Sequence, residues 1–523
     1  MRPPQRLAAA IMLASLVTSA CGARLTPEQR SAALAQGGGG GSSGAGATGD
    51  GSGGTAGTST GTGTTGAPIL GTTGTGTTGT AGTGGSATSG AGTTGTGGTT
   101  GTSGAGTTSG ATGGTNASGK PSWVDAPAGG NGGSTDVGVT ATSITVANAS
   151  DVSGAVPGLF EDARFATQAY FKYFAARYGT LYGRKINVLA LDTQLDSGAN
   201  RSASLQQCTD AFAGVGSISA FDQGGASAIQ ECKIPDLRGI STTDQMKAVP
   251  NSYPMNAAGT GDGRSLGAYG WAAAKFPDAI KAAAYVYSDG EVTRQTSEQD
   301  MEGTKAILGF NWIDSVPIGT SETNYAPAVS ELKSKGAKYV TFVGAYQQAA
   351  NLAKEFARQN FKPTVYQPTV TAYTPDFIKQ AGSAAEGTFV AVQPSLIEEL
   401  DGNPELQTYY QWLQQVKPGA VPTALGQFSW SAAALFVEQM IKVGPKPTRK
   451  GLLALMPGIH NWTGNGLFPG QDVGGRQLGD CTQVVQVVKG KFVRFTPDGV
   501  RKSRCVDGVY NLKTKKVQKG FPQ

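Results

Sequence analysis

The sequence predicts an α/β protein built on two doubly wound parallel sheets. Short β-branched-rich runs alternate with helical stretches from about Ser143 to Gln393. The runs are apolar on both faces, as strands must be when helices cover both sides of a parallel sheet. The alternation restarts once, after Asn256, so it forms two sets.

The first set opens with Ser143-Ile144-Thr145-Val146-Ala147, followed by a turn rich in Ser, Gly and Pro. A helix over 161–178 comes next, with Ala163, Ala166, Tyr170 and Tyr173 near one face at three-to-four spacing. Strand 186–191, helix 202–213, strand 217–221, a short helix from about Ser227 and strand 234–240 complete the set. The second set begins with a helix at 264–276, then strand 282–287, helix 296–309, strand 312–318 and helix 325–335. Strand 339–344 leads into helix 347–360, where Ala350, Ala353 and Phe356 form an apolar stripe. Strand 364–367, helix 375–380 and strand 387–393 close it. Helices at 404–416 and 429–443 precede a β-rich C-terminus at 482–488 and 492–495. Doubly wound sheets bind ligands at the carboxyl ends of their strands, and helix N-termini there suit an anion.

Composition locates the rest of the chain. Of the 79 glycines in 523 residues, about 38 fall between Gly37 and Ser134, among Thr, Ser and Ala. Such a stretch has too little apolar surface to offset the entropy of ordering, so 22–134 is expected to be a disordered tether. GxGxxG and GxSxG matches inside it, at Gly61–Gly66 and Gly57–Gly61, follow no strand and open no helix; they carry no chemistry. Residues 1–21 read as an export signal: Arg2 and Arg6 precede the apolar run Leu7–Val17, which is too short to span a membrane. Thr18-Ser19-Ala20-Cys21 resembles a bacterial lipobox, which would place a lipid on Cys21 and anchor the protein to the outer face of the cell membrane.

Export implies an oxidising compartment. The four remaining cysteines fall in two pairs of equal spacing, and Cys208–Cys232 with Cys481–Cys505 is the simplest of three possible pairings. A single histidine, His460, and the lack of CxxC argue against a metal site. No nucleophile elbow or metal spacing occurs in the folded part, so no catalytic residue and no cofactor are expected. The net charge of +6 is mild and spread along the chain, which argues against nucleic acid as a partner.

Several segments together resemble the type I periplasmic binding proteins of the leucine/isoleucine/valine-binding kind, the solute-binding subunits of ABC importers. Asp151-Val152-Ser153-Gly154 resembles the family's P-x-S-G turn, and Gly183-Arg184-Lys185-Ile186 its N-G-R-K-I. The block Asn324–Lys362, with Ser330 to Val340, is similar to its I-K-x-A-G-x-D-V-V and following helix; Gly387-Thr388-Phe389-Val390-Ala391 is similar to its G-x-x-x-A strand. Cys208 and Cys232 also fall where such proteins often have a disulfide. The resemblance implies two lobes joined by hinge crossings that close around a solute. Lobe 1 would be 135–257 with 394–445, and lobe 2 would be 258–393 with 446–523. It also implies a monomer that delivers a small molecule to membrane permease subunits or, alternatively, reports it to a signalling partner.

The resemblance further implies where ligand would sit. From lobe 1 these are Ser153 and Gly154 after the first strand, Gly224, Gly225 and Ser227 after the third, and Ser241, Thr242 and Thr243 after the fourth. From lobe 2 they are Asp289, Tyr346 and Tyr373. Amino-acid binders of the family place an acid after the strand at 364–367. Here that loop reads Pro368-Thr369-Val370-Thr371-Ala372-Tyr373. A desolvated ammonium without a counter-charge is costly. Either Asp289 or Glu291 replaces the acid, or the ligand is a different small carboxylate or aromatic solute, against which Tyr373 would pack.

Overall fold

The computed structural model describes residue 115 and residues 119–256 and 261–521. The expected signal segment, Cys21 and nearly all of the tether lie outside these residues. The first sheet contains β1 (Ser143–Ser150), β2 (Lys185–Asp192), β3 (Ala213–Val215) and β4 (Asp236–Leu237) in the order β2-β1-β3-β4, all parallel. Helices α1 (Glu161–Arg177), α2 (Ser197–Asp210) and α3 (Gln223–Cys232) connect its strands, and the short α4 (Asp244–Lys247) follows β4. After β5 (Gly263–Ser265) and α5 (Gly267–Lys275), the pattern repeats with β6 (Ala283–Ser288), α6 (Glu291–Leu308), β7 (Trp312–Ile318), α7 (Ala326–Ser334), β8 (Tyr339–Val343), α8 (Tyr346–Arg358) and β9 (Val365–Pro368). This second sheet has the equivalent order β7-β6-β8-β9, again parallel. Both sheets cover their faces with helices, as the two-sided apolar runs required.

The third strand stands earlier than its pattern suggested. Ala213–Val215 enter the sheet, with Gly214 and Val215 beside Asp236 and Leu237, whereas 217–221 is the loop that leaves it. Strand Phe389–Val392 (β10) also departs from the parallel reading. After α9 (Pro375–Ala381), it pairs antiparallel with β11 (Gln483–Val488), which pairs with β12 (Lys491–Thr496). Helices α10 (Pro404–Leu413), α11 (Ala424–Val443) and α12 (Arg449–Leu455) lie between them in the chain. Strands β13 (Val509–Asn511) and β14 (Lys516–Gln518) form a separate small sheet with β5.

Two main cores follow. One gathers β1, β3, α1, α10 and the almost wholly buried α11, and continues through Leu452, Met456, Leu467, Phe468 and Val473. The other gathers β6, β8, α8 and α9 with Val390, Val392, Val485 and Val487. Residues up to Val473 therefore pack with the first core, although the sequence placed everything after 446 with the second lobe. The packed chain also begins before Thr135. Trp123 lies against Phe174 and Tyr178, with ring centroids at 6.0 and 5.0 Å. Trp123-Val124 is an apolar pair inside a polar stretch, and Val124 is 3% exposed. Arg184 fixes this arm: its fully buried guanidinium donates to the carbonyls of Thr140, Pro445, Asn131 and Gly133 at 2.6–2.9 Å. Disulfides join Cys208 to Cys232 and Cys481 to Cys505, as the equal spacing suggested.

Candidate functional site

The carboxyl edge of the first sheet is organised by two buried aspartates that the sequence reading did not single out as a site. Asp151, directly after β1, accepts hydrogen bonds from the Thr193 hydroxyl, Leu195 N (3.1 Å), the Ser219 hydroxyl (3.0 Å) and Ala220 N (2.7 Å). One carboxylate thus ties together the loops after β1, β2 and β3. Burial pushes its pKa up, and the hydrogen bonds from Thr193, Ala220, Ser219 and Leu195 offset only part of that rise. Asp222 does the same between β3 and β4, accepting from Thr242 N (2.9 Å), Thr243 N (3.0 Å) and the Thr243 hydroxyl (2.6 Å), with Arg238 at 3.6 Å. The available signal was an aspartate at the end of a β-branched run beside hydroxyl-rich loops.

These carboxylates consume donors that had been expected to face ligand. Thr242 donates its hydroxyl to Ser219 O at 2.6 Å, and Thr243 also caps α4. Ser241 is different: it is 2% exposed, and among the described residues its hydroxyl has no partner. Ser153 is exposed, and its backbone N donates to Asp192 at 3.2 Å. Burial raises the Asp192 pKa, but hydrogen bonds from Ser153, Gln194 and Val152 outweigh it and hold the carboxyl below its ordinary value. Gly154 sits in the left-handed region at φ 103°, and a Cβ there would stand 2.1 Å from Gln194 O; it serves the turn.

Gly224, Gly225 and Ser227 follow the third strand in its helix, not in a loop before it. The earlier position of β3 puts all three on α3. A Cβ on Gly224 would meet Ser197 O at 2.0 Å, and one on Gly225 would meet the Ser204 hydroxyl at 2.0 Å, so both glycines let α3 lie against α2. Ser227 is exposed and accepts from Arg201 at 3.3 Å.

On the second sheet, Asp289 is an exposed loop residue after β6, and its backbone N donates to Ile318 O at 2.6 Å. Tyr373 is buried in the core instead of lining an opening. Its hydroxyl donates to Glu398 and accepts from Ile397 N (2.8 Å), and its ring packs against Phe492. Tyr346, at the start of α8, is only half-buried. Burial raises its pKa, as do the charges of Asp376 on α9 and Asp162 on α1. Asp162 is itself pushed up to about 6, mainly by burial, while Thr423 and Lys417 act in the opposite direction. Tyr346, Asp162 and Asp376 therefore share one electrostatic neighbourhood between elements of the two sheets.

Beside them is an apolar wall. Phe160, Ala163, Ile218 and Leu425 form a buried cluster at the carboxyl edge of the first sheet, with Leu159, Ala220 and Ile240 against it. Val370, in the 3-10 turn after β9 of the second sheet, packs on the same cluster. The edges of the two sheets thus meet across an apolar surface with Ser241 and the Asp162 group nearby in the chain.

Residues 143–491 match the family model described as periplasmic binding protein. The chain belongs to the periplasmic binding protein family. Among solved structures, the binding protein resembles a leucine-binding protein from Thermotoga maritima (15% identity, TM-score 0.57), covering 68% of this chain and 98% of that one. It also resembles a fatty acid ABC transporter substrate-binding protein from Thermomonospora curvata (18% identity, TM-score 0.59, 71% and 95% covered). A third is a solute-binding protein from R. palustris in complex with benzoate (18% identity, TM-score 0.56, 67% and 95% covered). No curated protein matches the chain. Family membership makes the chain an extracytoplasmic, non-enzymatic solute-binding protein. Among the described residues, no helix is long and apolar enough to cross a membrane.

Proposed function

We propose that the chain is a lipid-anchored solute-binding subunit of an ABC importer, and that its solute is a small apolar carboxylate held between two lobes. Lobe 1 is the first sheet with 119–256 and 394–473, and lobe 2 is the second sheet with 261–393 and 484–521; this division follows the two cores. The observation that carries the ligand class is the apolar wall shared by Ile218, Ala220, Ile240 and Leu425 with Val370. Burial of a hydrocarbon body there contributes about 25 cal/mol per Å2. The unpartnered Ser241 hydroxyl is a ready donor to the carboxylate, and a buried polar atom of this kind calls for a partner. The loop Pro368–Tyr373 supplies no acid for an ammonium.

Closure by a solute is a population shift, driven only by contacts that the closed form adds. The lipobox-like Thr18-Ser19-Ala20-Cys21 supports the anchor. The test is native mass spectrometry of the full chain for carried ligand, followed by thermal shifts with octanoate, benzoate and leucine. A ligand at 100 times its Kd adds about 2.7 kcal/mol. Stabilisation by octanoate or benzoate but not leucine is expected. A second reading, an α-amino acid with its ammonium beside Asp162 and Asp376, is favoured by those two carboxylates; stabilisation by leucine alone would establish it in place of the first.

A further inference from the structure

A cavity of about 310 Å3 lies where the chain passes between the two cores, and it shares no residue with the apolar wall of the cleft. Its volume is in the range of small-molecule sites. On one side are Leu467 and Phe468, both buried members of the first core; the Phe468 ring stacks parallel to Phe428 at 5.1 Å. On the other side are Gln483, at the start of β11, and Arg501 and Ser503 in the loop after β12. Ser395, just before the passage back to the first core, joins the two sides; its N donates to Leu467 O at 2.7 Å.

Arg501 is held in advance of any ligand. Its backbone N donates to Glu399 at 2.7 Å, and its exposed guanidinium donates to the carbonyls of Gly402 (3.2 Å) and Gly466 (3.5 Å). At Gly466 a Cβ would stand 2.8 Å from Arg501 Nη2. Among the described residues the guanidinium forms no ion pair; Glu399, which accepts from the Arg501 backbone N, pairs with Arg494 at 2.5 Å. Gln483 is 3% exposed, and its amide is spent on Pro394 O and Arg494, so it shapes the wall and leaves anion recognition to Arg501. A positioned guanidinium without an ion pair, lining the same cavity as Leu467 and Phe468, suits a carboxylate with an apolar body.

We propose that this cavity is a second ligand site, taking a small apolar carboxylate with its charge on Arg501 and its body against Leu467 and Phe468. The test is photolabelling of the full chain with 4-azidobenzoate, followed by peptide mapping. Label in 463–469 or 501–505 is expected, falling about tenfold or more in Arg501→Gln and largely restored in Arg501→Lys, with melting temperatures unchanged. No label in those peptides, or label there that Arg501→Gln leaves intact, overturns the proposal. Label near Leu159 or Val370 reports on the cleft separately, so failure of one site is distinguishable from failure of the other.

Discussion

Arg184 shows how one side chain can carry an architectural role. Its planar fork satisfies four backbone carbonyls from the arm before β1, the entry to β1 and the loop after α11. A lysine cannot reproduce that geometry. Arg184→Lys is expected to lose about 2–3 kcal/mol in chemical denaturation, because buried carbonyls are left unpaired. Asp162 makes an equally local prediction. Its folded pKa is raised to about 6 from the ordinary 3.8, so the folded state holds a proton that the unfolded state has released. The sign is that this group lowers stability as pH rises from about 4 to 6, and the cost is complete above that window. Asp162→Asn should therefore raise the melting temperature at pH 7 and leave it unchanged at pH 3, with a gain of about 1 kcal/mol after solvent screening.

At the scale of elements, the packing of α3 on α2 depends on two small residues and one covalent bond. Gly224→Ala drives a methyl into the Ser197 carbonyl, whose backbone cannot yield without moving α2. A loss of about 1–3 kcal/mol in thermal unfolding is expected. The Cys208–Cys232 disulfide joins the same helices, and replacing both cysteines with alanine should cost about 3 kcal/mol in the chain-entropy account. Much of this level was legible in the sequence. The helix over Glu161–Arg177 and the strands Trp312–Ile318 and Tyr339–Val343 stand where periodicity put them. The third strand did not, because 217–221 is as β-permissive locally as 213–215 and only pairing with Asp236–Leu237 chooses between them. With that shift the helix starts at Gln223, so Gly224 and Gly225 lie on it beside Ser227.

Over the whole molecule, Asp244 is a bridge. It lies on α4 beside the first sheet, and it accepts from Arg264 (3.4 Å) and from Gln299 (3.4 Å) on α6 of the second. Burial raises its pKa, but Lys247 and Arg264 outweigh that and hold the carboxyl below its ordinary value. Its contribution is therefore present above pH 4 and lost as pH falls further. Asp244→Asn is expected to weaken the ligand-free link between lobes by about 1 kcal/mol, a roughly five-fold change in a closing equilibrium. Small-angle scattering would read this as a larger radius of gyration at neutral pH, and the difference from wild type should vanish below pH 4.

The sequence by itself determined the class of this protein. Alternating strand and helix patterns, the restart after Asn256 and two equally spaced cysteine pairs are local signals, and each survives in the folded chain. Tertiary structure alone decided the arrangement of the candidate site. Whether a hydroxyl faces solute or a neighbouring carboxylate depends on which loops meet, and Asp151 and Asp222 claim donors from strands far apart in the chain. Ser241 kept a hydroxyl unpartnered among the described residues and Tyr373 went to the core for the same reason: hydrogen-bond partners are assigned by packing, and no spacing along the chain records them.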